Sequence, residues 1–234
     1  MEDIYNRGKI PILVGGTGFY IQAVLNDIAF TKEKQGDEIR ADLQNLAKEK
    51  GASYLHHELQ KVDKESAEAI HPNNIKRVIR ALEYFQSTGQ KFSDHNKEER
   101  QKGSPYNFLY LVLTMNRKVL YERIDKRVDQ MMEEGLVKEV KQLLDAGYSR
   151  NLVSMQGLGY KEIASALFKE CTMEEAVYRL KRDTRHFAKR QMTWFRRERD
   201  VTMINKDNFS NNHEIVNYIM KLAVEKGICS CREG

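Results

Sequence analysis

Residues 11–18, Pro-Ile-Leu-Val-Gly-Gly-Thr-Gly, constrain this chain more than any other stretch. Consecutive aliphatic side chains closed by glycines predict a short buried strand ending in a tight turn. An apolar-periodic helix follows over 19–25, and the end of another helix, 2–7, precedes it with a turn at Gly8. Strand, glycine turn and helix make an α/β unit, and a short apolar strand of this kind belongs to a parallel sheet. Such a sheet needs more strands than the chain offers, because only 108–113 and 201–204 also qualify. The expectation is an α/β core that lacks its beginning.

The remainder reads as helix. Residues 37–50 carry apolar Ile39, Leu43, Leu46 and Ala47. Residues 73–86 are patterned more strongly. Asn73 or Asn74 can cap that helix, Ile75, Val78, Ile79, Leu82 and Phe85 form its stripe, and Gly89 can close it. The polar stretch 94–103 is expected to be a loop. Further helices are expected at 117–134, 136–146, 161–168 and 173–199, with Gly135 and Gly147 between them. The domain reading is an α/β core of 1–30 and 104–234, mostly helical overall, with 31–103 inserted as a helical domain.

Composition narrows the classes. With 234 residues, 41% hydrophobic and 31% charged, the chain can build one large domain or two modest ones. No apolar run approaches the roughly 18 residues that cross a membrane. Residues 1–9 carry acids and no apolar core, so no secretory signal is expected and the cytoplasm is the default. Cys171, Cys229 and Cys231 fit a reducing compartment. The pair Cys229 and Cys231 lacks the second pair of a structural zinc site, so no metal ligand is assigned. The six histidines do not cluster.

The net charge of +5 is unevenly spread. Residues 179–199 hold nine Lys/Arg, seven of them arginine, against Asp183 and Glu198, a local +7. Stepping about 100° per residue places Val177, Leu180, Thr184, Phe187, Gln191 and Trp194 on one side of a helix. Arg182, Arg185, Lys189 and Arg196 fall opposite, with Arg179, Arg190 and Arg197 beside them. Guanidinium groups opposed to a buried stripe suit a phosphate backbone, and a merely solvated face is the alternative. Gly15, Gly16, Thr17 and Gly18 can lay backbone N–H groups and a hydroxyl on a phosphate, or can simply turn the chain. No G-x-x-x-x-G-K-[ST] loop occurs anywhere. The loop 154–161, with Gly157 and Gly159 flanking Leu158, can admit an unstacked base or join two helices. Arg123 and Arg127 lie four apart beside Asp125 and Asp129, as surface ion pairs or as an arginine aimed at a phosphate.

Five stretches, in order, resemble the tRNA dimethylallyltransferase family, also called tRNA isopentenyltransferase. They are P-I-L-V-G-G-T-G-F-Y-I-Q at 11–22, H-P-N-N-I-K-R-V-I-R-A-L-E at 71–83 and R-I-D-K-R-V-D-Q-M-M-E-E-G-L at 123–136, then Q-G-L-G-Y-K-E at 156–162 and K-R-Q-M-T-W-F-R-R at 189–197. The resemblance implies a P-loop-kinase-like fold with a helical insertion. It implies transfer of a dimethylallyl group from its diphosphate to N6 of adenine 37 in the tRNA anticodon loop, on a flipped base. By the same resemblance, Thr17 meets the reacting region, and Gly15, Gly16, Gly18 and Arg127 help hold the diphosphate. Arg40, Lys76, Arg77 and Arg80 would contact tRNA. Gln156, Gly157, Leu158, Gly159, Tyr160 and Lys161, with Lys189, Arg190, Gln191, Thr193, Trp194 and Arg196, would hold the anticodon loop.

Mg²⁺ is the implied cofactor. The implied partners are tRNA and dimethylallyl diphosphate, with no membrane and a monomeric chain. The family's Walker-type loop and its D-S-x-Q-x-Y segment, source of the general base and most of the Mg²⁺ site, do not occur in this sequence. The chain alone is therefore expected to be inactive or nearly so. A nucleotide-dependent phosphotransferase and a non-catalytic RNA-binding helical module are the competing classes.

Overall fold

The structure, a computed structural model, describes residues 1–27 and 36–230. In chain order the helices are α1 (Glu2–Asn6), α2 (Gly18–Leu25), α3 (Gly36–Lys50), α4 (Ala52–Val62), α5 (Lys64–Ala69), α6 (Ile75–Thr88) and α7 (Phe92–Gln101). Strand β1 (Tyr110–Thr114) follows, then α8 (Arg117–Glu133), α9 (Leu136–Asp145), α10 (Tyr160–Leu167), α11 (Met173–Phe195), β2 (Val201–Asn205) and α12 (Asn212–Glu225). The chain is mostly helical and forms two compact units, Met1–Gly18 with Phe108–Gly234, and Phe19–Asn107.

In the first unit β1 and β2 pair in parallel, from Tyr110 opposite Val201 to Thr114 opposite Asn205. A parallel pair needs a long crossover, and α8 to α11 supply it. The helices are started by their own side chains. Asn116 accepts from the Lys118 amide to open α8, and Thr172 accepts from the Glu175 amide to open α11. Val128, Leu136, Val140, Met155, Ile163, Ala164, Ala176 and Leu180 form the core between α8, α9, α10 and α11.

The second unit is all helix among its described residues. Val78, Ile79, Ala81 and Leu82 of α6 bury against Leu43, Leu55 and Leu59. Each fully buried Leu contributes about 1.5–3 kcal/mol. Gly89, at φ +71°, ends α6 as the sequence implied, a conformation glycine adopts without a Cβ clash.

Three expectations are corrected. Residues 11–14 are not a strand. They pair with neither β1 nor β2, and Ile12 and Val14 are 84% and 88% exposed. A parallel strand exists only through a ladder to a neighbour, and this segment has none among the described residues. Residues 94–103 are not a loop, because α7 covers most of them. Its polar residues are adequate helix formers, and the buried Ser93 amide near its start is held by Asp63 Oδ2 at 2.8 Å. The basic helix α11 ends at Phe195 and not near Arg199, and the chain turns through Asp200 at φ +58° to enter β2. Helices α4, α5 and α12 were not anticipated. The 30/31 domain boundary and Cys231 lie outside the described residues.

Candidate active site and nucleic-acid interface

The glycine stretch is seated on the far end of the basic helix. Gln191 Nε2 donates to the Gly16 carbonyl at 2.8 Å, across 175 residues of sequence. Gly18, buried at the start of α2, lies against the indole of Trp194. A Cβ on Gly18 would stand 2.3 Å from Trp194 Cδ1 and Nε1. A Cβ on Gly16 would stand 2.4 Å from Gln191 Nε2. Only hydrogen at these positions permits the approach. Gly15 meets nothing, and Thr17 is exposed. The loop therefore presents its Thr17 side to solvent and its Gly16 and Gly18 side to α11.

Beneath Trp194 lies a polar cluster that sequence reading missed. Tyr110, the first residue of β1, is 7% exposed, and its ring meets Phe195 edge-on at 6.3 Å. Tyr110 Oη and Trp194 Nε1 are buried without a well-formed hydrogen bond. Burial pushes the Tyr110 phenol up to about 12, and the nearby Glu198 charge adds to the shift. Burial likewise raises the Glu198 carboxyl above its ordinary range, against the lowering effect of the Trp194 N–H. Nothing in the sequence marks Glu198 as other than one acid in a basic segment.

The cations of α11 divide into two sets. Toward its N-terminus, Arg179 pairs with Glu175, Lys181 with Asp129 and Arg182 with Asp183, and Arg185 pairs with Asp125. Toward its C-terminus, Lys189, Arg190, Arg196 and Arg197 are exposed and have no carboxylate partner among the described residues. Arg190 lies 5.8 Å from the Phe187 ring centroid. Phe187, assigned to the buried stripe, is 40% exposed. Thr193 Oγ1 donates back to the Lys189 carbonyl at 3.0 Å. Gly16, Gly18, Gln191 and Trp194 thus meet in the part of the helix whose charges are not internally matched.

The loop 156–161 is tied down from within. Gln156 Nε2 donates to the Arg150 carbonyl at 2.6 Å. Gly157 opens the turn into Leu158, which packs against the core, and Gly159 takes φ +99°. The Gly159 N–H donates to Glu162 Oε2 at 2.9 Å, and Lys161 Nζ lies 3.4 Å from Glu162 Oε1. Tyr160 donates to Glu139, which raises its phenol. Arg127 is exposed on α8 with no ionic partner among the described residues. Arg40 forks onto Glu83, which Arg80 also approaches, while Lys76 and Arg77 are exposed.

An open groove of about 710 Å³ lies where β1 gives way to α8, lined by Asn116, Arg117, Lys118, Tyr121, Asp125 and Arg185 among others. Basic residues in the first turn after a parallel strand were a readable signal for this groove, since ligands collect at strand C-termini. The described residues hold no group of three or more His, Cys, Asp or Glu able to hold a metal ion. No helix among them is long and apolar enough to cross a membrane.

Residues 1–198 match the family model described as IPP transferase. A tRNA dimethylallyltransferase of Lachnoclostridium phytofermentans is 55% identical over 228 residues, covering 97% of this chain and 73% of that protein. Another from Acetivibrio thermocellus is 48% identical, covering 92% and 69%. The solved tRNA isopentenylpyrophosphate transferase of Bacillus halodurans aligns with TM-score 0.64 at 42% identity, over 97% of this chain and 71% of its own. A eukaryotic dimethylallyltransferase described as acting on tRNA aligns with TM-score 0.73 at 28% identity, over 94% and 59%.

Proposed function

This chain belongs to the IPP transferase family, whose reaction is prenyl transfer to tRNA, and on that premise we propose that it serves transfer of a dimethylallyl group to N6 of adenine 37. In that reaction the N6 lone pair attacks C1 of the allyl group. The C1–O bond breaks, diphosphate leaves, and N6 gives up a proton. Charge builds on the leaving group, so amides, hydroxyls and cations aimed at it lower the barrier.

The observation that carries this reading is the seating of Gly16 and Gly18 on Gln191 and Trp194. It joins a loop suited to phosphate to the stretch of α11 whose cations lack carboxylate partners among the described residues. Thr17, exposed beside that seat, is the group we assign to the reacting region, and Arg127 to the diphosphate. Lys189, Arg190 and Arg196 would grip the anticodon loop with the 156–161 turn, and the helical insertion 31–103 would extend the tRNA contact. Mg²⁺ would arrive on the diphosphate oxygens, as Mg²⁺ commonly does. The acidic acceptor for the N6 proton and the Walker-type phosphate contacts have no counterpart in these residues, so turnover by this chain alone is expected to be slow. A cytoplasmic location and a monomeric state go with the reading.

The test uses the full chain, dimethylallyl diphosphate and anticodon stem-loop RNAs with and without adenine at position 37. The expected result is salt-dependent binding that favours the adenine RNA, with slow transfer. Binding indifferent to that adenine would leave a non-catalytic RNA-binding module. Turnover at an ordinary enzymatic rate would overturn the expected inactivity.

A further inference from the structure

Glu83 is a charged residue in a place where an apolar one would pack. It is 1% exposed inside α6, yet it carries two guanidinium groups. Arg40 of α3 donates through Nε to Oε2 at 3.2 Å, and through Nη2 to Oε1 at 2.8 Å and to Oε2 at 3.0 Å. Arg80 Nη1, one turn earlier on α6, stands 3.5 Å from Oε1. Both arginine side chains stay 44% and 43% exposed. Lys76, a further turn back, is exposed on the same side of the helix.

Two cations converge on one carboxylate at the surface, and the geometry of this triad is set from below. A buried ion pair is often no more stable than a well-packed apolar substitute. Cohesion alone therefore does not account for a carboxylate here. Orientation does, because a guanidinium held at one edge by a rigid carboxylate presents its plane in a fixed direction. That saves the side-chain entropy a loose arginine loses on binding.

We propose that Glu83 is a positioning residue for RNA: it locks Arg40, and steers Arg80, into the orientation in which they receive one backbone phosphate. The proposal rests on the RNA-binding reading above and deepens it, by placing a carboxylate among the determinants of binding to a polyanion.

That sign makes it testable. Replacing Glu83 by Gln removes one buried negative charge and so raises the net charge by one. A role confined to charge predicts tighter RNA binding, and positioning predicts weaker binding despite the added charge. The experiment measures binding of a labelled anticodon stem-loop RNA to the full chain across a salt series, with helical content checked by circular dichroism. For Glu83→Gln the expected change is a loss of about tenfold in affinity, with the salt slope reduced by about 1, the scale of one phosphate contact. In an Arg40→Ala background the same substitution should cost little. Affinity equal to or tighter than wild type, with the slope unchanged, would overturn the proposal and leave RNA binding intact. Absence of wild-type binding would instead remove the RNA reading itself. Should Glu83→Gln not fold, Glu83→Asp decides: the charge is kept and the fork is drawn back by one methylene. Weaker binding then supports positioning, and unchanged binding refutes it.

Discussion

Replacing Gly18 by Ala tests the seat on which the functional reading rests. The new Cβ would lie 2.3 Å from the edge of the Trp194 indole, a rigid group whose neighbours Tyr110 and Phe195 are buried. Ordinary carbon contact begins near 3.5 Å, so the ring must retreat by about 1 Å or turn out of its site. Overpacking of this kind costs about 1–3 kcal/mol. Gly18 does not use a left-handed φ, so alanine also restricts the unfolded chain and returns about 0.4–1 kcal/mol. A net loss of about 1–2 kcal/mol is expected on these terms.

Trp194 is the chain's single tryptophan, so its emission reports this site alone and isolates the first unit from the second. Gly18→Ala should shift the emission to the red and lower the urea midpoint followed by fluorescence. Gly16→Ala is the control. Its Cβ meets only the flexible end of Gln191, which can swing away at the loss of one hydrogen bond, about 0.5–1.5 kcal/mol. Emission should then hold. If Gly18→Ala keeps both the emission and the midpoint of the wild type, the indole does not sit on Gly18 and the joined site is wrong.

Glu198, raised by burial, binds its proton more tightly folded than unfolded, so the first unit should lose stability as pH rises from the ordinary glutamate range through the raised folded value. A Trp194 fluorescence titration should show that inflection, and Glu198→Gln should abolish it. Asp63 has the opposite sign. Burial works to raise it, but hydrogen bonds from Ser66 and Ser93 outweigh burial and hold it below the usual carboxylate range. Its contribution is then present above about pH 4 and lost as pH falls through the folded value. Asp63→Ala, which strands the amides of Ser66 and Ser93, should cost about 2–4 kcal/mol in chemical denaturation followed by circular dichroism, and a loss under 1 kcal/mol would count against the cap. In a catalytically competent family background, Thr17→Ala should lower turnover more than RNA affinity, whereas Arg196→Ala should weaken RNA binding and flatten its salt slope by about 1. Unchanged kinetics and binding in both would misplace the site.

What was legible in the sequence is what periodicity and capping encode locally. The stripe of α6, its Gly89 cap and the strand segments of β1 and β2 were within reach because their signals lie within a few residues. Buried acids were not. Asp63, Glu83 and Glu162 sit at 1%, 1% and 6% exposure, and Asp63 and Glu83 are held there by Ser93 and Arg40, 30 and 43 residues away. A hydrophobicity pattern assigns such residues to solvent. Residues 11–14 failed the other way, since an apolar run states what a segment would bury but not whether a neighbouring strand is present to bury it.

The basic helix shows how far a charge count carries. Nine cations between 179 and 199 suggested one continuous phosphate-binding face. Two of those nine were already answered on α8, where Asp125 and Asp129 lie four apart and meet Arg185 and Lys181, also four apart. Equal helical spacing lets two crossing helices match charges pair by pair, and such partly exposed pairs orient the helices more than they stabilise them. That match was written in the sequence, but it required comparing two segments some 60 residues apart. Its consequence is functional. With Lys181 and Arg185 committed to α8, Lys189, Arg190, Arg196 and Arg197 are left without a carboxylate partner among the described residues, and they flank Gln191 and Trp194, where the glycine loop docks. Tying down one end of α11 therefore leaves the cations that lack a carboxylate partner among the described residues at the end of the helix where Gly16 and Gly18 dock.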